Sequence, residues 1–267
     1  MMDFLRPDWP APPGVHALCS TRAGGVSQAP FASLNLGDHV GDDPAAVHTN
    51  RARLLQALQT EGGRHAPFLR QVHGTHCLTL SPHTPQGSEA DACASAEAGL
   101  VCTIMVADCL PVLLAHRSGA VVAAAHAGWR GLAAGVLTTT FERFSALALT
   151  RQAQAAPKTI ASQTLAWLGP CIGPQAFEVG AEVRQAFCAA DPGAQGCFVA
   201  RPGGKYLADL AALARRRLAA LGITAIYGND STPPWCTVGN ASRFFSHRGG
   251  SDAGGSGRFA ACIWRST

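Results

Sequence analysis

Three side chains able to hold a metal or attack a substrate stand where apolar runs end. In TIMVADCLPVLLAHRSGAVVAAAHAGWRGLAAG, residues 103–135, two apolar stretches are cut by Asp108-Cys109, and the second closes on His126 just before Gly-Trp-Arg-Gly. A further histidine, His73 in RQVHGTHC, follows an apolar stretch and precedes a glycine. Strand ends are where a sheet delivers side chains to a common cleft, so the three can converge although long stretches of chain separate them. Two imidazoles and one thiolate suit zinc, which takes N and S ligands tetrahedrally; in catalytic sites it keeps three protein ligands and leaves a fourth position for water or substrate. With one anionic ligand the ion would stay positive and lower the pKa of water towards about 7.

Residue types alone leave three readings open. A single cysteine in an apolar run is first of all a core thiol, and a histidine before glycine is commonly a turn residue. A metal-free Cys–His pair comes second, because a neighbouring imidazolium or helix N-terminus lowers a thiol's pKa. Zinc comes third on spacing, since the chain has no close-set HxxxH pair. The HAGWRG step adds an independent feature. It leads from an apparent strand into a helix N-terminus, whose N–H groups and dipole favour an anion, and Arg130 adds a charge-assisted donor. A phosphate or carboxylate would fit; equally, Arg130 could pair with a surface acid while the glycines permit close packing.

Positioning these residues requires a sheet with helices against it. DDPAAVHTNRARLLQAL reads as a helix with Asp43 as N-cap, Pro44 at the first position, and Val47, Leu54 and Leu58 on one face. GWRGLAAGVLTTTFERF reads as a second helix, with Leu137, Phe141 and Phe144 inward. KYLADLAALARRRLAALG reads as a third, with Leu207, Leu210, Ala214, Leu218 and Leu221 at helical spacing and Gly222 as the stop. Strands are expected at VHALCST, FLRQV, CLTL, LVCTIMVA, LPVLLAH, AVVAAAH, TLAWLG, ITAIYG, RFFSH and RFAACIW, several apolar on both faces and so central. LTRQAQAAPKTIASQ reads as a surface loop and HRGGSDAGGSGR as a glycine-rich one. The fold class is α/β with a large mixed sheet, and no repeat or domain boundary is evident across residues 1–267.

Composition narrows the function classes. Hydrophobic residues are 47% and charged ones 14%, which excludes a disordered or coiled-coil chain and leaves an enzyme or binding domain. No apolar run approaches the roughly 20 residues a bilayer span needs, and MMDFLRPDWPAPPG has no apolar signal core, so the expectation is a cytoplasmic protein without membrane contact. The ten cysteines are scattered without a CxxC pair, as expected of reduced core thiols such as Cys19, Cys77, Cys102, Cys188 and Cys262. Cys171, in GPCIG, reads as packing at a Gly-Pro turn. The net charge of +4 is dispersed apart from Arg215–Arg217, too weak a patch to argue for nucleic acid.

Six ordered motifs run nearly end to end: STRAGGVSQAPFASLNLGDHVGDDPAAVHTNR, RQVHG, ADCLPVLL, AAHAGWRGLAAGV, LGPCIGPQAFEVG and the closing SHR…GRFAACIW. Together they resemble the laccase-domain, YfiH-type proteins, a family associated with purine nucleoside phosphorylase activity. The resemblance implies one compact unit with mixed sheets packed between helices in α/β/β/α layers. It implies a zinc site of His73, Cys109 and His126, which are then catalytic. It further implies phosphorolysis of adenosine, inosine, guanosine and methylthioadenosine by inorganic phosphate, and hydrolytic deamination of adenosine. Arg22 and Asn35 lie in the matching N-terminal motif and join Arg130 as candidate substrate-binding residues, although Asn35 in SLNLG equally suits a turn cap. One departure is the longer HRGGSDAGGSGR, where the family commonly has a compact RRDG.TGR turn.

Rival functions follow from the same resemblance. Copper-dependent oxidation of polyphenols gave the family its label, but a multicopper cluster is built from many histidines, usually in HxH pairs, and this chain has ten histidines and no HxH. Copper remains an alternative occupant, being the tighter binder of the divalent series. Removal of L-serine from a UDP-muramyl-peptide by an editing amidase is the second rival, separable from phosphorolysis because it needs no phosphate. A zinc-stabilised binding module is the third, for which metal removal would unfold the chain.

Overall fold

The computed structural model describes residues 2–151, 157–250 and 254–266. Strands β1 (Phe4–Leu5) and β2 (Val15–Ser20) precede helix α1 (Pro44–Gln59). Five strands follow: β3 (Cys77–Thr79), β4 (Ala92–Ser95), β5 (Cys102–Val106), β6 (Leu110–His116) and β7 (Val122–Ala127). Helices α2 (Trp129–Ala134), α3 (Val136–Arg151) and α4 (Pro157–Ser162) lead to β8 (Thr164–Leu168), β9 (Glu178–Val179) and α5 (Ala181–Cys188). Then come β10 (Phe198–Arg201), β11 (Lys205–Ala208), α6 (Leu210–Ala220), β12 (Ala225–Gly228), α7 (His247–Gly250) and β13 (Phe259–Arg265).

The strands form a six-stranded sheet in the order β12-β8-β6-β7-β4-β3, a four-stranded sheet β1-β2-β13-β5 and a small ribbon β10-β11-β9. The larger sheet is mixed, since β12 runs parallel to β8 and β3 parallel to β4 while its other pairs are antiparallel. The four-stranded sheet is antiparallel throughout.

Side-chain alternation sorts these sheets into layers, because successive residues of a strand point to opposite faces. On β7, Ala123, Ala125 and Ala127 pack with Phe144 of α3 and Leu213 of α6, whereas Val122 and Ala124 belong to the core between the sheets. On β13, Phe259, Ala261 and Ile263 join that inter-sheet core, and Ala260, Cys262 and Trp264 face Leu54 and Leu58 of α1. The result is helix, sheet, sheet, helix. The four alanines of β7 are fully buried, and small side chains there let α3 approach the sheet closely. No described helix is long and apolar enough to cross a membrane.

Most of the expected elements are present, and the exceptions have local causes. α1 starts as anticipated, with the Asp43 carboxylate accepting the Ala45 N–H and Pro44 in the first turn. The segment after it is not one helix but two, broken by Gly135 at φ 103°. The third helix begins later than its periodicity suggests: Lys205–Ala208 is strand β11, and Asp209 caps α6 through the Ala212 N–H, so Leu207 is a strand residue. FLRQV makes only an isolated bridge at Arg70, and RFFSH is turn followed by α7, so neither is a strand. Most of LTRQAQAAPKTIASQ is helical in α3 and α4, its residues 152–156 lying outside the described residues, as do residues 251–253 of the glycine-rich segment. β1, β4, β9 and β10 are too short to leave a period in the sequence.

Trp167 on β8 is fully buried in the inter-sheet core, with its ring 6.1 Å from that of Trp235. Trp167→Ala is expected to cost roughly 3–5 kcal/mol by opening a cavity that rigid strands cannot close. Urea unfolding checks this, and a loss below about 1 kcal/mol would contradict the packing described.

Candidate active site

The site is built around a fully buried carboxylate, Asp91, at the start of β4. Its Oδ1 accepts the His73 backbone N–H at 2.9 Å, and its Oδ2 accepts those of Gly74 at 2.7 Å and Val72 at 3.2 Å. His73 sits at φ 60°, a left-handed conformation that costs a non-glycine residue about 1 kcal/mol or more, and the three N–H contacts hold it there. On the neighbouring strand β7, His126 donates its backbone N–H to the Asp91 carbonyl at 2.7 Å and its Nδ1–H to Oδ1 at 2.8 Å. One carboxylate therefore fixes the His73 turn and the tautomer of His126, leaving Nε2 of His126 for the Cys109 thiol.

Cys109 arrives from the other direction, on the turn between β5 and β6. Asp108 has φ 81°, and its buried carboxylate accepts the Thr237 hydroxyl at 2.6 Å and the Arg248 backbone N–H at 2.6 Å. Its carbonyl accepts the Ile172 N–H at 2.9 Å. This explains the polar dipeptide between two strands: Asp108 pins the turn and Cys109 is turned into the cleft. Cys109 Sγ lies 3.6 Å from His73 Nε2, and the rings of His73 and His126 are 4.8 Å apart at 66°.

The ligand atoms of His73, Cys109 and His126 lie within 4.8 Å of one another, and they are the one such group of three among the described residues. An imidazole nitrogen and a thiolate sharing a tetrahedral ion, with bonds of about 2.0 and 2.3 Å, sit about 3.5 Å apart. The donor set fits a metal on chemistry as well, because a ligating histidine ordinarily gives its other N–H to a carboxylate, as His126 does to Asp91. The glycines of the HAGWRG step prove steric. A Cβ on Gly128 would come within 2.9 Å of both Cys109 Sγ and His73 Cδ2, and one on Gly131 within 2.7 Å of the Gly74 carbonyl.

Charge in the trio is shared unequally. Burial pushes the Cys109 thiol up, but the charge and hydrogen bonds of His126, then of His73, outweigh it and bring it down to about 6. Burial pushes His126 down, yet Cys109 and Asp91 raise it to about 9. Asp91 is likewise penalised by burial and held below the usual carboxylate range by His126 and the backbone donors of Gly74 and Val72. By contrast, burial drives Cys19, Cys171 and Cys262 far up, as expected of inert core thiols.

A cleft of about 550 Å³ opens over the trio. Met105, Val106, Trp129, Ile172, Phe177 and Leu210 give it an apolar wall, while Arg130, Arg248 and Arg258 give it positive charge. Arg130 is exposed and lies 4.5 Å over the Trp129 ring, with no acid paired to it among the described residues. Arg22 is not on the cleft wall: its guanidinium donates to the carbonyls of Ala32 and Ala241 and covers the Phe245 ring. Asn35 is also absent from the wall. It is fully buried, caps its own turn through the Gly37 N–H at 2.9 Å, and accepts the Arg258 N–H at 2.8 Å. Sequence reasoning missed Asp91, an acid between two alanines in EADACAS, and the cleft arginines Arg248 and Arg258, whose convergence is purely tertiary.

Known proteins place this architecture. The family model described as multi-copper polyphenol oxidoreductase laccase matches residues 16–266. A purine nucleoside phosphorylase of Pseudomonas aeruginosa is 48% identical, with 99% of each chain aligned. The Escherichia coli K12 purine nucleoside phosphorylase YfiH is 47% identical, again with 99% of each covered. Among solved structures, a Neisseria meningitidis protein superposes with a TM-score of 0.87 at 42% identity over 99% of both chains. YlmD from Geobacillus stearothermophilus superposes with a TM-score of 0.83 at 32% identity, over 99% of this chain and 96% of that one.

Two outcomes follow from this geometry. In the metal-free protein a thiol lowered to about 6 contributes stability that is lost as pH falls through about 6, and an imidazole raised to about 9 contributes stability lost as pH rises through about 9. Between those values they form an ion pair. Alkylation of Cys109 by iodoacetamide should therefore rise with a midpoint near 6, moving upward in His126→Gln; a midpoint near the ordinary 9 in the unaltered chain would contradict the pairing. Gly128 has φ −63°, open to any residue, so Gly128→Ala tests sterics alone. It should weaken metal binding by about tenfold or more while far-UV circular dichroism is unchanged, and full metal affinity would rule out the close approach.

Proposed function

The chain belongs to the multi-copper polyphenol oxidoreductase laccase family, and from that premise we propose that it is a purine nucleoside phosphorylase acting on adenosine, inosine, guanosine and methylthioadenosine, with an adenosine deaminase activity at the same site. The observation that carries this reading is the His73, Cys109 and His126 trio, the one group able to hold a metal among the described residues, in a cleft lined by both apolar and cationic side chains. That combination suits a neutral heterocycle and an anionic nucleophile together. The names of the Pseudomonas and Escherichia relatives support the same activity. A polyphenol oxidase would need several coppers, and the described residues assemble one ligand trio and no second.

In phosphorolysis a phosphate oxygen forms a bond to ribose C1′, the bond from C1′ to the purine nitrogen breaks, and its electron pair leaves with the base, which takes up a proton. Ribose 1-phosphate and the free purine result. Trp129, Phe177, Ile172 and Leu210 supply the apolar surface against which a purine ring loses little by leaving water. Arg130 supplies charge for the phosphate at the cleft. Asp91 keeps His126 in one tautomer and His73 in its turn, so that neither reorganises during the reaction. Zinc suits this ligand set best, held by His73, Cys109 and His126; when bound it would supply a Lewis acid and activate water for the hydrolytic deamination. Copper is the alternative occupant.

Product analysis tests the reading. Incubation of adenosine with inorganic phosphate should yield adenine and ribose 1-phosphate, and inosine should form whether or not phosphate is present. Absence of phosphate-dependent adenine release would overturn the phosphorylase assignment, and phosphate-independent release of serine from a muramyl peptide would favour the amidase instead. Cys109→Ala should lose metal and both activities by more than about a hundredfold while remaining folded, because an open three-ligand site is catalytic rather than structural. Arg130→Ala should raise the KM for phosphate about tenfold and depress phosphorolysis far more than deamination, since only one reaction uses the anion. Equal loss of both would remove Arg130 from the phosphate site.

A further inference from the structure

Two arginines of the cleft, Arg130 and Arg258, form no ion pair with a carboxylate among the described residues. Arg130, Arg248 and Arg258 line the cleft, and the one acid on its described wall is Asp108. Both Asp108 oxygens are already engaged, one by the Thr237 hydroxyl and the other by the Arg248 backbone N–H. A guanidinium withdrawn from water without a counter-charge is costly unless an anion completes it.

The three arginines differ in how they are held. Arg130 is exposed and stacked on Trp129, and Arg248 sends Nη2 to the Glu178 carbonyl at 3.2 Å. Arg258 is half-buried and fixed at every level. Its backbone N–H is bound by the buried Asn35 side chain at 2.8 Å, and its Nη1 spans the carbonyls of Ser256 and Gly257 at 2.9 and 3.0 Å. Its stem lies so close to Gly37 that a Cβ there would stand 2.7 Å from Arg258 Cγ. These contacts occupy one guanidinium nitrogen and involve no carboxylate. The Nε and Nη2 donors, which share one edge of the fork, have no partner among the described residues. Burial lowers Arg258 from the ordinary arginine value while Cys109 and Asp108 act the other way, which puts the guanidinium in the field of the metal ligand. His39, also on the wall, is lowered first by burial and next by the charge of Arg258.

We propose that Arg258 seats the nucleophilic phosphate, its Nε–H and Nη2–H edge receiving two phosphate oxygens beside the metal ligands. The assignment rests on the phosphorolysis reading. It gives Asn35 and Gly37 a function through Arg258: they do not touch substrate but hold the fork that does. It also gives the glycine-rich segment a defined end point, because Arg258 closes HRGGSDAGGSGR and lies on the cleft wall.

Equilibrium dialysis of radiolabelled inorganic phosphate against the metal-loaded protein, Arg258→Gln and Arg258→Lys tests this, alongside initial rates at varied phosphate. Arg258→Gln should weaken phosphate at least about tenfold in both Kd and KM, with kcat at saturating phosphate changed by less than about threefold and with metal content and Tm unchanged. Arg258→Lys, a point charge without a fork, should recover only part of the affinity. Phosphate affinity in Arg258→Gln within about twofold of the unaltered chain would overturn the proposal, as would an unaltered chain that binds no phosphate. A joint fall in metal content, Tm and kcat at constant phosphate Kd would overturn it too, marking Arg258 as a buttress. If Arg258→Gln does not fold, Arg258→Lys carries the test, and an unchanged Kd there overturns the bidentate contact. Arg258-dependent phosphate binding without ribose 1-phosphate formation would fell the phosphorylase reading and leave the anion site standing.

Discussion

A buried carboxylate binds two distant parts of the chain into one site. Asp91 accepts four hydrogen bonds from groups that the fold brings from opposite sides: three backbone donors of the His73 turn and the ring of His126. Burial alone would raise an aspartate, and those donors are what keep this one charged. The arrangement links architecture to chemistry. The antiparallel pairing of β4 with β7 sets Asp91 beside His126, so the sheet register itself orients the His126 ring. The same side chain then shapes a loop that has no regular structure of its own and carries His73. Cys109 completes the trio from the β5–β6 turn, where Asp108 plays a parallel part by holding a left-handed backbone with two side-chain contacts. Both Asp108 oxygens, like those of Asp91, are already engaged, and their work is to hold the neighbouring backbone in place.

Legibility in the sequence followed the physics of each signal. The strands that read clearly, such as LPVLLAH and RFAACIW, are buried on both faces and need long apolar runs. His73, Cys109 and His126 stood out because polar groups interrupt those runs, yet spacing alone could not rank a metal site above a core thiol, and only the six-motif resemblance did. What could not be read was whatever depends on tertiary pairing. Asp91 looks like any acid in a loop, and its four partners come from residues 72–74 and 126. FLRQV has the composition of a strand but makes a single bridge at Arg70, its backbone being drawn instead toward Ser88 and Asp91. Lys205–Ala208 keeps a helical period into a strand because Asp209 resets the backbone one residue before α6.

The cleft reconciles a family name drawn from copper oxidation with relatives named for nucleoside chemistry. One ligand trio that could hold a metal, a thiol brought to about 6 by imidazoles, apolar lining residues and three arginines share one cleft, and on the proposed reading an anion and an aromatic base would meet there. Glycines at 128 and 131 let the helix after β7 settle against the His73 turn, which brings the Arg130 segment close to His73 and Cys109.

Asp91 organises the His73, Cys109 and His126 trio through hydrogen bonds to His126 and the His73 turn. The most direct measurement is the zinc dissociation constant of Asp91→Asn, by competition with a chromophoric chelator at pH 7.5 or thereabouts, beside the unaltered chain. An amide has one acceptor oxygen where the carboxylate has two and presents N–H groups to donors, so affinity should fall by about 10- to 100-fold in a protein that retains its far-UV circular dichroism. Unchanged zinc affinity in that variant would contradict the account.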